Sequence, residues 1–187
     1  PFGGKNRKYM EFMRNEIAKA IDDSIGDLAP GKIRFGSGSF DGYSSGRENN
    51  EPDTGVSVMQ VLRKNRKPVT VVNFAVHADS IESFTMSADF PYYLENRLQK
   101  FSGGDAMFMP GAIGGVQPDR NNENGNFQAR QLGEDLADRV YAILKKPITT
   151  DEVLITGRLM SINTGVENKF FLNAAKIGMI SKFFRKE

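Results

Sequence analysis

Two runs of strand-forming residues, Val69–His77 (VTVVNFAVH) and Ala106–Pro118 (AMFMPGAIGGVQP), constrain this chain more than any other feature. Each run begins with apolar residues typical of a buried strand and ends in polar or glycine-rich residues. His77, the only histidine in the sequence, closes the more apolar run. Because a rigid sheet holds the loops at its strand ends while leaving them open to solvent, functional residues collect there in α/β proteins. The two runs therefore point to one functional region.

Helical and strand-like segments alternate along the 187 residues. This order predicts an α/β fold, a layered domain with a mixed β-sheet flanked by helices. Apolar residues recur at helical spacing in three segments, 9–25, 91–100 and 127–144. Strands are predicted over 32–35, 56–62, 68–76, 106–109 and 153–160. The basic turn between the second and third strands predicts an antiparallel hairpin, and the third strand, apolar on both faces, should be central in the sheet.

Two long polar segments, 36–55 and 110–126, separate these elements. The first contains five glycines and is predicted to be a structureless loop, which in a compact domain is often functional or disordered. Asp89 is predicted to be the N-cap of the helix that follows it, with Pro91 in the first turn.

Composition excludes several classes of function. The 39% hydrophobic and 26% charged residues are typical of a globular domain with a packed core. There are no cysteines, which excludes disulfides, thiolate zinc sites and cysteine nucleophiles. The net charge is only +2, and the short basic clusters are not interleaved with stacking aromatics, so no nucleic-acid partner is expected. No stretch is apolar enough for a transmembrane segment, and no signal peptide is visible.

Three features could carry chemistry, and each has an ordinary alternative. His77 can ligate a metal or transfer protons, or it can be a hydrogen-bonded histidine at a strand end. The turn Gly111–Gly115 can form an anion-binding nest, or it can be a simple tight turn, since it matches neither a Walker loop nor a GxGxxG fingerprint. Arg47 can clamp a carboxylate or phosphate, or it can be a solvated loop residue. No GxSxG motif is present.

The C-terminal segment 169–186 is too apolar to be left in water on a monomer surface. It is therefore expected to dock on the rest of the protein or to mediate self-association.

Three phrases, NFAVHADS, TMSADFPYYLENRL and FMPGAIGGVQPD, follow one another in the order of motifs in the neutral/alkaline non-lysosomal ceramidase family. That family carries phrases like F-A-x-H, S-A-D-x-P-G-Y-L and G-x-x-G-D-x-S/N-P. The chain resembles this family over most of residues 9–145. The resemblance implies a partial ceramidase-like α/β domain over 1–150, with a strand and an apolar tail of unassigned placement over 151–187.

The resemblance also implies a function. The family consists of zinc-dependent amidases that cleave the N-acyl bond of ceramide, so it implies a small-molecule or lipid-like substrate, a role in sphingolipid metabolism and a bacterial protein in the periplasm or outside the cell. By position His77 resembles a zinc-binding histidine, and Arg47 resembles an arginine near the active site. Gly111, Gly114 and Gly115 would shape the pocket for the substrate carbonyl. The other zinc ligands would lie outside this chain, which implies a fragment of a longer protein.

One departure from the family bears on catalysis. Gln117 stands where the family has its catalytic serine, and Gly115 stands at its acidic position. An amide cannot serve as an activated hydroxyl, so the replacement argues against ceramidase activity itself. The leading hypothesis is a zinc-dependent hydrolase of amide or related bonds. The alternative is a non-catalytic module on the same scaffold that binds a lipid, a glycan or a protein.

Overall fold

The computed structural model describes residues 6–46, 51–81, 86–119, 125–150, 152–162, 165 and 167–178. The chain divides into two compact units. One unit, Ala29–Val153, is called the sheet unit because it carries both β-sheets. The other, formed by Pro1–Leu28 and Leu154–Glu187, is called the terminal unit and carries one helix from each end of the chain.

Eleven elements follow one another along the described residues. They are α1 (Arg7–Gly26), β1 (Gly31–Ser39), β2 (Ser44–Gly46), β3 (Gly55–Arg63), β4 (Val69–Phe74), α2 (Asp89–Ser102), β5 (Asp105–Pro110), β6 (Val116–Pro118), α3 (Gly125–Ile143), β7 (Ile148–Thr150) and α4 (Lys169–Lys176).

The main sheet has five strands in the order β5-β4-β3-β1-β7. β4 and β5 are parallel and are connected through α2, whereas the other three pairs are antiparallel. The predicted α/β fold with a mixed sheet is therefore confirmed. The hairpin of β3 and β4 is also confirmed, and β4 lies inside the sheet as its apolar sequence indicated.

Helices α2 and α3 pack against one face of this sheet and bury its core. Alternate residues of each strand point to that face, which gives the period of two expected of β-strands. The buried side chains include Val56, Val58, Val72 and Phe74 from the strands, Phe90, Leu94 and Leu98 from α2, and Leu132, Leu136 and Val140 from α3. On the opposite face Phe35, Met107 and Met109 are 40–50% exposed.

The predicted loop 36–55 is partly wrong, because β1 continues to Ser39 and β2 occupies Ser44–Gly46. Residues 36–39 pair with β3, Gly36 opposite Val58 and Ser39 opposite Gly55. Glycine and serine have weak strand preference of their own, so the neighbouring strand decides their conformation through its hydrogen bonds.

Of two further strand predictions, one was wrong in part and the other was wrong. β5 lies at the edge of the sheet and is not the buried strand that its sequence AMFM suggested. The predicted strand 153–160 is absent, since residues 152–160 form no regular secondary structure. The last strand among the described residues is instead β7, which pairs with Ile33–Phe35 of β1.

In the terminal unit, α1 confirms the helix predicted over 9–25. The side chain of Asn6 accepts a hydrogen bond from Tyr9 N at 3.1 Å and caps its first turn. α4 forms the described part of the apolar tail, and Asn168 caps it in the same way. Phe170 is 83% exposed there, while residues 179–186 of the predicted association segment lie outside the described residues. No helix in the described part of the chain is both long and apolar enough to cross a membrane.

Candidate functional site

The carboxyl ends of β4 and β5 lie side by side, and both candidate motifs follow them. The Gly111 N–H donates to the Phe74 carbonyl at 3.1 Å, and the Asn73 side-chain amide donates to the Met109 carbonyl at 2.9 Å. A Cβ at position 111 would lie 3.2 Å from Ala75 Cβ, so a glycine allows this close approach. The parallel pairing thus places the chain before His77 directly against the start of the glycine-rich loop.

His77 is half-buried and lies three residues beyond the end of β4. The chain that follows it is held by the beginnings of two helices. The Asp89 carboxylate at the start of α2 accepts from Ile81 N at 2.9 Å, and Gly125, the first residue of α3, lies against the Ser80 carbonyl. The amino ends of helices carry positive partial charge, and at α2 the Asp89 carboxylate already offsets it.

Contrary to the prediction from the sequence, Asp89 is not the N-cap of α2. The N-cap of α2 is Ala88, whose side chain makes no capping bond, and Asp89 is the first helical residue, with a φ of 54°. Its side chain is directed to Ile81 N and to Phe90 N, and the residue is 4% exposed. The carboxylate is satisfied by backbone donors on both sides, so it fixes the segment after His77 onto α2. This link was not predicted from sequence, because it depends on tertiary contact.

A second sheet brings the other candidate loops together. β2 and β6 pair antiparallel, with Ser45 opposite Gln117 and Gly46 opposite Val116. Gln117 is half-buried on this short ladder. Arg47 follows Gly46 directly in sequence but lies outside the described residues. The strand that ends one residue before Arg47 is therefore paired with the strand that carries Gln117.

The glycine-rich turn has no left-handed backbone. None of Gly111, Gly114 and Gly115 has a positive φ, and a Cβ at Gly114 or Gly115 would meet no atom within 4 Å. Of these three positions, only 111 requires glycine because of close packing. The role of the turn in shaping a pocket for a carbonyl oxygen stays a prediction.

Contacts between three aromatic side chains, which sequence analysis missed, connect the β2 end of the site to the core. Phe74 contacts Phe40 edge to face, with ring centroids 5.7 Å apart, and Phe40 stacks on Tyr43 at 4.8 Å. The Tyr43 hydroxyl donates to the Asp135 carboxylate on α3, and the Tyr43 carbonyl accepts from Asp119 N at 2.9 Å. In the sequence, the only indication of these contacts is that two aromatic residues, Phe40 and Tyr43, lie in an otherwise polar segment.

Burial and the hydrogen bond to Asp135 raise the pKa of Tyr43 from 10.0 to about 12. Because the folded state holds this proton more tightly than the unfolded state does, the contribution of Tyr43 to stability is complete below pH 10. It is lost as the pH rises from 10 to 12.

We expect Tyr43→Phe to lower the free energy of unfolding by about 1–2 kcal/mol at pH 7, since the Asp135 carboxylate loses a donor. Urea unfolding followed by circular dichroism measures this change. The difference between the native protein and Tyr43→Phe should shrink between pH 10 and 12, because the tyrosine ionises from pH 10 in the unfolded chain but only near pH 12 in the folded one. Tyr92→Phe, at an exposed tyrosine, is the control. A difference that is constant up to pH 12 would contradict the assigned hydrogen bond.

Zinc sites in proteins use three or four side-chain ligands. His77 can supply one of them, but the described residues contain no group of three or more His, Cys, Asp or Glu able to hold a metal. The residues described here do not form a zinc site by themselves. Any complete set would need ligands from other parts of the protein.

The architecture matches part of a known structure. The chain is similar to the crystal structure of neutral ceramidase from Pseudomonas aeruginosa, with a TM-score of 0.60 and 21% sequence identity. The similarity covers 70% of this chain and 25% of that chain, so this chain spans a quarter of the ceramidase's length. No family model and no curated protein matches the sequence. The ceramidase resemblance is thereby supported at the level of the fold.

Proposed function

We propose that this chain is part of a ceramidase-like hydrolase that cleaves amide or related bonds and depends on zinc. The observation that carries the proposal is the pairing of β4 and β5, which sets the strand before His77 against the Gly111–Pro118 loop. These are the segments whose sequences resemble the ceramidase motifs. Both segments follow the carboxyl ends of neighbouring parallel strands, so they lie at the same end of the sheet, as residues of one active site must.

In this proposal His77 is one zinc ligand, and the other ligands come from outside the described residues. A bound zinc ion would polarise the substrate carbonyl or activate water. Gly114 and Gly115 would leave open space for the substrate carbonyl, and Gly111 would hold the loop against Ala75. The amino end of α3 would favour the negative charge that develops on the carbonyl oxygen, since its first turn has no acidic residue. Arg47 would orient the substrate. Gln117, at the serine position of the family, would hold the substrate through amide hydrogen bonds.

We expect the longest form of the protein that can be expressed to carry about one zinc ion per chain, measured by inductively coupled plasma mass spectrometry. His77→Ala should lose the zinc and should lower the hydrolysis of fluorescent N-acyl substrates, ceramide included, by roughly 100-fold or more, because even the indirect partners of a metal ligand contribute 10- to 100-fold.

A matched variant separates metal binding from hydrogen bonding at this position. His77→Gln keeps hydrogen-bonding groups but is a poor zinc ligand, so it should lose zinc as fully as His77→Ala. If His77→Gln retained both zinc and activity, the histidine would be a hydrogen-bonding residue and the assignment would be wrong. Circular dichroism of both variants establishes that they are folded.

The second candidate function is a non-catalytic module on the same scaffold that binds a lipid, a glycan or a protein. The observation that favours it is Gln117, which cannot act as a nucleophile. This candidate predicts a folded protein without zinc that binds ceramide-containing vesicles and leaves the ceramide intact. Zinc content and product formation, measured on the same sample, distinguish the two functions.

A further inference from the structure

A pocket of about 360 Å³ lies in the sheet unit, away from the candidate site and at the other end of β4. Pro68 and Thr70 at the beginning of β4 line it, together with Ser102 at the end of α2 and Lys145 just after α3. His77 and the Gly111–Pro118 loop follow the opposite ends of their strands and are not among its lining residues. The volume is within the range of small-molecule sites, about 300–1,000 Å³.

The floor of the pocket is a chain of hydrogen-bonded polar side chains. Gln60 and Thr70 are buried, and the Gln60 Nε2–H donates to Thr70 Oγ1 at 3.0 Å. Arg34 Nη1–H donates to Gln60 Oε1 at 3.3 Å, and Nη2–H donates to the Leu144 carbonyl at 3.0 Å. A guanidinium has five N–H donors, so capping α3 at Leu144 and binding Gln60 leave three of them for a ligand. The network fixes the direction of the guanidinium before any ligand binds.

The pocket is positively charged. Lys145 stands at its rim, with its ammonium 4.9 Å from the centre of the Tyr141 ring. No lining residue is acidic. Within the described part of the chain, neither Arg34 nor Lys145 forms a salt bridge. Two cations without a carboxylate partner, one of them on a buried donor network, favour an anionic group in the pocket.

The walls are apolar and partly aromatic. Leu62 and Leu98 line the pocket with Phe101 and Tyr141, whose ring centroids lie 4.9 Å apart at a tilt of 35°. We propose that this pocket is a second binding site, for a small carboxylate with an aromatic body. Arg34 and Lys145 bind the carboxylate, and the ring packs against Phe101 and Tyr141. The site is separate from the proposed catalytic region.

The test is calorimetric titration of the 187-residue chain with 3-phenylpropanoate and with its neutral amide, 3-phenylpropanamide. We expect saturable binding of the carboxylate with a Kd on the order of 1 mM or below, and binding of the amide at least about tenfold weaker. Arg34→Met should weaken carboxylate binding about tenfold or more. Equal affinity for the two probes, or no saturation by the carboxylate, would refute the proposal.

Further variants keep the test decisive if Arg34→Met fails to fold. Lys145→Gln changes an exposed residue and should weaken binding several-fold. Its neighbour Lys146 does not line this pocket, so Lys146→Gln should bind as the native chain does. His77→Ala should also bind normally, which separates this site from the proposed active site. A loss of binding in His77→Ala, with none in Lys145→Gln, would place the carboxylate at the candidate active site and overturn the inference.

Discussion

Phe74→Ala is expected to lower the free energy of unfolding by about 3–5 kcal/mol, because it removes a large side chain and leaves a cavity at the centre of the core. Phe74 is fully buried on β4, one of three strands that pair on both sides. Its ring also contacts Phe40, which stacks on Tyr43. The substitution should therefore loosen the β2 end of the candidate site as well as the core.

Urea unfolding followed by circular dichroism at 222 nm measures the effect of Phe74→Ala. Phe35→Ala on β1 is the matched control, since Phe35 lies on the opposite face of the same sheet and is 40% exposed. The control should cost under about 1 kcal/mol. Phe74→Leu keeps most of the volume and should cost less than about 1.5 kcal/mol. Similar losses for Phe74→Ala and Phe35→Ala would mean that the core has been assigned to the wrong face.

Gly133→Val is expected to destabilise the sheet unit by at least about 3 kcal/mol, at the upper end of what overpacking usually costs. Gly133 lies in α3 where α2 crosses it. A Cβ there would be 2.4 Å from the Phe90 carbonyl oxygen and 2.8 Å from Tyr93 Cβ. The backbone oxygen cannot move aside as a flexible side chain could, so the two helices would have to separate. Separation would uncover Leu94 and Leu136, both fully buried.

The control for Gly133→Val is Gly157→Val, because a Cβ at Gly157 meets no atom within 4 Å. This control should change the free energy of unfolding by no more than about 0.5 kcal/mol. Gly133→Ala introduces the clashing Cβ without the rest of the valine side chain. Alanine gains about 1 kcal/mol in helix propensity, so its loss of stability should be smaller than that of Gly133→Val. If Gly133→Ala were more stable than the native protein, the close approach of α2 and α3 would be wrong.

Strongly periodic segments were predicted well from sequence. The helices over 9–25 and 127–144 follow from apolar residues at helical spacing, and α3 buries Leu132, Leu136 and Val140 as expected. The hairpin of β3 and β4 follows from two apolar runs around a basic turn. In α3 and the hairpin the side chains needed for packing lie on one face, so local sequence and final environment agree. In α1 only the helix itself is confirmed, because none of its residues is buried.

Segments whose conformation depends on a partner were predicted poorly. Residues 36–39 are strand because β3 pairs with them, whereas 153–160 are rich in strand formers but find no partner strand among the described residues. The sequence AMFM likewise does not predict that β5 lies at the edge of the sheet. A strand is stabilised by hydrogen bonds to neighbours distant in sequence, so its own residues carry only part of the information.

The sequence by itself determined the α/β class and the two motifs that end in His77 and Pro118, because apolar periodicity and residue chemistry are local properties. Only the tertiary structure decided that these motifs lie at the same end of the sheet and that Asp89 holds the chain after His77. It also decided that Arg34 belongs to a buried hydrogen-bond network at the opposite end. Each of these depends on contacts between residues far apart in the chain, such as Arg34 with Leu144. Such contacts form only when burial of the shared core brings their elements together.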